Sequence, residues 1–148
     1  MLHKTKYSSG AKWEDIIGYS RTVKVGSTVL ITGTTAVDEN GVIVAVNDAY
    51  NQARYILMKI KKYLEQAGAR LDDVVRNRIY VTDISKWEAI GKAHAEFFGT
   101  IRPCCTMVEV KKLVDKDMLV EIETEAIIIA PPAEIEEESI YLDENDNL

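Results

Sequence analysis

The stretch "LVEIETEAIIIA", residues 119–130, decides how the rest of the chain is read. Val120, Ile122, Thr124 and Ala126 alternate there with Glu121, Glu123 and Glu125. Successive side chains of a strand point to opposite faces, so the segment is a strand with one apolar face and one face of three carboxylates. The apolar face needs a cover, and two upstream helical patterns supply it. Over residues 47–68, Ala53, Ile56, Leu57, Ile60 and Leu64 recur on one face, while Lys59, Lys61, Lys62 and Glu65 lie largely off it. Asn47 is the expected N-cap of this helix and Gly68 its stop. A second helix is expected from Ser85-Lys86-Trp87-Glu88, which matches a capping box. Trp87, Ile90, Phe97 and Phe98 are its core anchors, and Gly99 ends it.

The remaining segments read as strands. "RTVKV" (21–25) closes on Gly26, and "STVLITGTTAV" (27–37) follows, rich in β-branched residues. The turn Asp38-Glu39-Asn40-Gly41 before "VIVAV" is a hairpin signal. "DVVRNRIYVTD" (73–83) and "TMVEVKKL" (106–113) complete the set. The order β-β-β-α-β-α-β-β predicts an α+β sandwich, with helices on one face of a mixed sheet. The glutamate face is then either a water-facing surface, or an oligomer interface or cleft where the acids meet Arg76, Arg78 or a ligand.

The chain of 148 residues fits one domain, expected over residues 1–130, with an acidic extension over 131–148. That extension opens with Pro131-Pro132 and carries seven acids and no base. Removing those seven from the chain's 24 acids leaves 17 against 18 bases, so the body is nearly neutral. A near-neutral body argues against a nucleic-acid partner, which needs a basic face. No apolar run approaches the roughly 20 residues of a membrane span, and residues 1–10 lack the apolar stretch of a signal peptide. A cytoplasmic protein without a membrane partner is expected.

The only two cysteines, Cys104 and Cys105, are adjacent. Neighbouring cysteines bridge only with backbone distortion. Only two histidines, His3 and His94, and no C-x-x-C accompany them, so no metal site and no cofactor are expected. A redox, nucleophilic or packing role stays open for the pair on these grounds.

Several pieces, in order, resemble the reactive-intermediate deaminase family, RidA, also called YjgF. "GYS" (18–20) is similar to its G-P-Y-S, and "ITGTTAV" (31–37) to its strand ending S-G-Q. "RPCCTMVEVKKL" followed by "LVEIETEAI" is similar to its closing P-A-R-[ST]-x-V-E-V…V-E-I-E-x-x-A. The resemblance covers residues 18–130 and implies a chorismate-mutase-like α+β fold. It also implies a homotrimer around a central barrel, with small-molecule clefts between subunits.

Carried over by position, the resemblance implies that Tyr19, Thr32, Gly33, Cys105 and Thr106 bind the ligand. Glu121 matches the glutamate that positions a water for attack on an imine carbon. The family's clamp for a substrate carboxylate is an arginine, and here Cys105 stands in its place. A thiol offers neither a fixed charge nor a bidentate fork. Gly91 aligns with a cleft asparagine, a second loss, and Arg102, Arg21 or Arg78 are the candidate replacement cations. His94 reads as a satisfied helix-face histidine. The function implied is hydrolysis of an enamine, imine or related reactive metabolite, other than the usual amino-acid-derived imino acids. The alternatives are a non-catalytic ligand-sensing trimer and, from the family's older label, an endoribonuclease.

Overall fold

The structure is a computed structural model and describes residues 1–130. Six strands and three α-helices follow in the order β1 (Lys4–Tyr7), α1 (Lys12–Ile17), β2 (Thr22–Val25), β3 (Thr28–Thr35), α2 (Ala49–Gln66), β4 (Val74–Val81), α3 (Trp87–Phe98), β5 (Cys104–Glu109) and β6 (Val120–Ile127). The strands form one sheet in the order β1-β2-β3-β6-β4-β5. All pairs are antiparallel except β4 with β5, whose connection runs through α3. The expected α+β architecture, helices on one face of a mixed sheet, is the one found.

The alternation in residues 119–130 sets the layers. Val120, Ile122, Thr124 and Ala126 are fully buried. They meet Val29 and Ile31 of β3, Ile79 and Val81 of β4, and the stripe Ala53, Ile56, Leu57, Ile60 and Leu64 of α2. Ile90, Ala93 and Phe98 of α3 complete this core. Among the described residues, nothing packs over the reverse face. There Arg78 Nη1 lies 2.8 Å from Glu125 and 3.6 Å from Glu123, Arg76 Nε lies 3.6 Å from Glu125, and Tyr80 donates to Glu123 at 2.6 Å. The acids of β6 thus meet Arg76 and Arg78, with the exception of Glu121.

Four local expectations change. Residues 42–46 form no strand and keep a single bridge, Val37 with Ile43. The Asp38 side chain builds the expected turn, accepting from the N–H of Asn40 and Val42, both at 2.9 Å. Beyond it, the buried Gln52 amide donates to the carbonyls of Val44 (3.3 Å), Ala45 (3.4 Å) and Asp117 (2.8 Å). Those interactions take the acceptors that a strand would have offered a neighbour. The cap of α2 is Asp48, accepting from the Asn51 N–H at 2.9 Å, because Asn47 is left-handed at φ 62°. Ser85 caps nothing: Asp83 holds its N–H and hydroxyl at 3.0 and 2.6 Å, forming a 3₁₀ turn over Ile84–Lys86 ahead of α3. Trp87, at the start of α3, is 56% exposed and no core anchor, whereas Ile90 and Phe98 are buried. The sequence reading also overlooked β1 and α1. "KTKY" pairs with β2 along the sheet edge without an apolar face of its own.

Candidate functional site

The site begins at an irregularity in β3. Ile31 is in register with Thr124 and Thr34 with Ile122, so Thr32 and Gly33 share the place of one residue opposite Glu123. Such a bulge twists a strand locally and re-aims its groups. Gly33 is required there for space. A Cβ on it would run into Glu121 Oε1 and stand 3.0 Å from Glu121 Cδ. The carboxylate of Glu121 therefore lies in the volume that Gly33 leaves empty. It is half-buried, and desolvation raises its pKa above the usual carboxylate value, helped by nearby Glu123 and opposed by Arg21.

Arg21 ties this corner together. It is 8% exposed. Its Nη1 donates to the Gly33 carbonyl at 2.9 Å and to Thr34 Oγ1 at 3.2 Å, and its Nη2 reaches the Tyr19 hydroxyl at 3.5 Å. The guanidinium carbon lies 5.7 Å from the ring centres of both Tyr19 and Tyr63, within the range of cation–π attraction. Tyr19 follows α1, whose C-cap Gly18 turns the chain at φ 85°. Tyr19 and Thr32 line a groove of about 370 Å³ on the bare face with Arg78, Glu123 and Glu125. A hollow of about 470 Å³ between the starts of α2 and α3 holds none of the expected site residues.

The other half of the expected site stands apart. Tyr80 is level with Glu121 on one side and with Val108 on the other, so Cys105 lies two strands aside and three residues along. Two strand spacings alone amount to about 10 Å. Within one chain the structure brings Tyr19, Thr32, Gly33 and Glu121 together, and leaves Cys105 and Thr106 on the far edge of the sheet. Cys105 is in register with Asn77 on the helix side and Cys104 with Arg76 on the bare side, so the two thiols face opposite ways. Both cysteines are exposed, yet the Cys105 sulfur lies low enough for burial to push its pKa up. That shift favours the neutral thiol.

His94 holds Asn77, whose Nδ2 lies 3.0 Å from His94 Nε2, while Asn77 Oδ1 accepts from Thr124 at 2.7 Å. With the amide as donor, Nε2 is the acceptor, an arrangement that favours the neutral imidazole. Burial lowers its pKa, in keeping with a satisfied helix-face histidine. Thr34 had escaped the sequence reading; the signal available was its place directly after the glycine. Among the described residues, no cluster of three His, Cys, Asp or Glu could hold a metal, and no helix is long and apolar enough to cross a membrane.

A family model described as Endoribonuclease L-PSP matches residues 10–128. The chain belongs to this family, that of the YjgF and RidA proteins. A Mycobacterium tuberculosis member of the YjgF/YER057c/UK114 family is 46% identical, with a TM-score of 0.78 over 85% of this chain and 100% of that one. The 3-aminoacrylate deaminase RutC of Acinetobacter baylyi is 38% identical over 70% of this chain and 82% of its own. TdcF of E. coli, solved with bound serine, is 26% identical with a TM-score of 0.70, over 84% of this chain and 94% of that one. The YjgF/RidA membership agrees with the fold: strands β2 to β6, the three α-helices and the β3 bulge against Glu121 all lie inside the matched range.

Proposed function

We propose that the protein hydrolyses a small imine or enamine at clefts between the subunits of a homotrimer. One chain supplies Tyr19, Thr32, Gly33 and Glu121, and the β5 edge of the next supplies Cys105 and Thr106. The observation that carries the reading is the half-buried Glu121 carboxylate, raised by desolvation and seated against Gly33. A carboxylate of raised pKa is a stronger general base while it remains ionised. Glu121 takes a proton from water, the hydroxide adds to the imine carbon, and the nitrogen is protonated. The carbinolamine then collapses to a carbonyl compound and ammonia, and an enamine enters after protonation at carbon. The deaminase name of the Acinetobacter relative and the serine held by the E. coli one support a small ligand and this reaction class.

The substrate is one without the carboxylate of an amino-acid-derived imine. Cys105 brings a neutral thiol, Arg21 is buried against Gly33 and Thr34, and Arg78 is paired with Glu125. An unanswered buried carboxylate costs about 2–5 kcal/mol, at least roughly tenfold in kcat/KM. The protein acts in the cytoplasm, without nucleic acid, and residues 1–130 carry the reaction.

The test compares a neutral imine with one made from a simple amino acid. The wild type should hydrolyse the first at least tenfold better, Glu121→Gln should abolish turnover, and Cys105→Arg should narrow the preference. No turnover of either imine, with retained binding of 2-ketobutyrate or its amide, would leave a ligand-sensing trimer instead. Sedimentation equilibrium checks the assembly: a species near the chain mass of 16.6 kDa at micromolar concentration would refute the trimer.

A further inference from the structure

The backbone around Gly33 is held by side chains with no part in the reaction above. The Thr32 N–H donates to the Arg21 carbonyl at 3.1 Å. The Thr32 carbonyl accepts from Thr34 Oγ1 at 2.9 Å, and the Gly33 carbonyl accepts from Arg21 Nη1 at 2.9 Å. Thr34 Oγ1 also receives Arg21 Nη1 at 3.2 Å, so hydroxyl and guanidinium form one latch across both peptides. Thr34 is fully buried and Arg21 nearly so. Of the four backbone polar groups of Thr32 and Gly33, only the Gly33 N–H is uncommitted to this latch. In a planar trans peptide the N–H points opposite to the preceding carbonyl, so pulling the Thr32 carbonyl toward Thr34 turns the Gly33 N–H away from it. The Glu121 carboxylate occupies the space on the Cα of that same glycine.

We propose that Arg21 and Thr34 are positioning residues, which fix the Thr32–Gly33 peptide so that the Gly33 N–H donates to a ligand oxygen or nitrogen beside Glu121. The inference rests on the proposed cleft but not on turnover in it. Arg21 acts through the peptide and not as a ligand clamp: its Nη1 is spent on Gly33 and Thr34, and its Nη2 points to Tyr19. A preorganised backbone donor serves a reacting nitrogen or oxygen well because it needs no reorganisation. The residue types fit the task. A guanidinium reaches two acceptors at once, which an ammonium on the same stem does less well. A hydroxyl both donates and accepts, as Thr34 must here.

The experiment follows the Gly33 amide by proton–nitrogen NMR during titration with acetamide, a neutral carbonyl acceptor. In the wild type the Gly33 proton should move downfield with added acetamide. Thr34→Ser should keep that shift. Thr34→Val and Arg21→Gln should lose it while the other core amides stay in place. Where a substrate imine is available, kcat should fall about a hundredfold in Thr34→Val, with Thr34→Ser near wild type. A Thr34→Val variant that keeps the acetamide shift overturns the proposal. Equal loss in Val and Ser also overturns it, since size rather than the hydroxyl would then matter. If Arg21→Gln does not fold, the Thr34 pair decides alone. Absence of imine turnover in the wild type would refute the hydrolase reading and leave the amide titration valid.

Discussion

Glu121 and Gly33 share one small volume, and each predicts a different measurement. Gly33→Ala has no unusual φ to contend with, but its methyl group collides with the Glu121 carboxylate. Overpacking of this kind costs about 1–3 kcal/mol, to be read as a lower urea midpoint with an unchanged slope. Glu121→Gln should act the other way on stability. The folded state raises the pKa of Glu121, so the native protein binds more protons than the unfolded chain between the ordinary value of 4.5 and the raised one. The ionised carboxylate is therefore destabilising above that window. Glu121→Gln should melt higher than wild type at pH 7, and the difference should vanish below pH 4.5. Equal differences at both pH values would show that the gain has another cause. His94 carries the opposite sign to a stabilising charge: its pKa is lowered, so the fold weakens as pH drops below the ordinary 6.5. His94→Gln should flatten that part of the stability profile.

Gly91 lies inside α3, and a Cβ there meets nothing within 4 Å. Gly91→Ala should then stabilise the protein by about 1 kcal/mol through helix propensity alone, seen as a higher melting temperature. Gln52 of α2 should prove costly to replace. Its amide joins Val44, Ala45 and Asp117 and accepts from the Leu119 N–H at 2.9 Å. Gln52→Leu strands several buried backbone groups at roughly 1–3 kcal/mol each. The same residue explains part of what the sequence concealed. "VIVAV" has every local mark of a strand, but Val44 and Ala45 give their carbonyls to a glutamine of a later helix and Ala45 is left-handed at φ 50°. The stripe of α2 and the alternation of β6 were legible because periodicity is local. The candidate-site half around the β3 bulge was readable only through the family resemblance, since no local pattern joins a glycine of β3 to a glutamate of β6. The distance between Cys105 and Glu121 was not legible, because it depends on β4 lying between β5 and β6. The latch of Arg21 to Thr34 was hidden for a related reason: it joins residues 13 apart across a strand pair.

The proposed division of the chain predicts that truncation after Ala130 leaves the melting temperature within a few degrees and the assembly unchanged. A large drop, or loss of the trimer, would place residues 131–148 in the folded body. The strand order has a further consequence, for the way the chain comes together in time. β6, the last strand among the described residues, lies between β3 and β4, which otherwise have no sheet contact. Its partner Thr28 stands 99 residues from Ile127. Before residue 127 leaves the ribosome, the meander β1-β2-β3 and the unit β4-α3-β5 cannot join into this sheet, because β6 is the strand that links them. Neither half has its central neighbour, and both present open edges at β3 and β4. The last strand therefore works as a keystone. Pairings this distant in sequence raise the contact order and slow folding. Unpaired strand edges of this kind are templates for another strand.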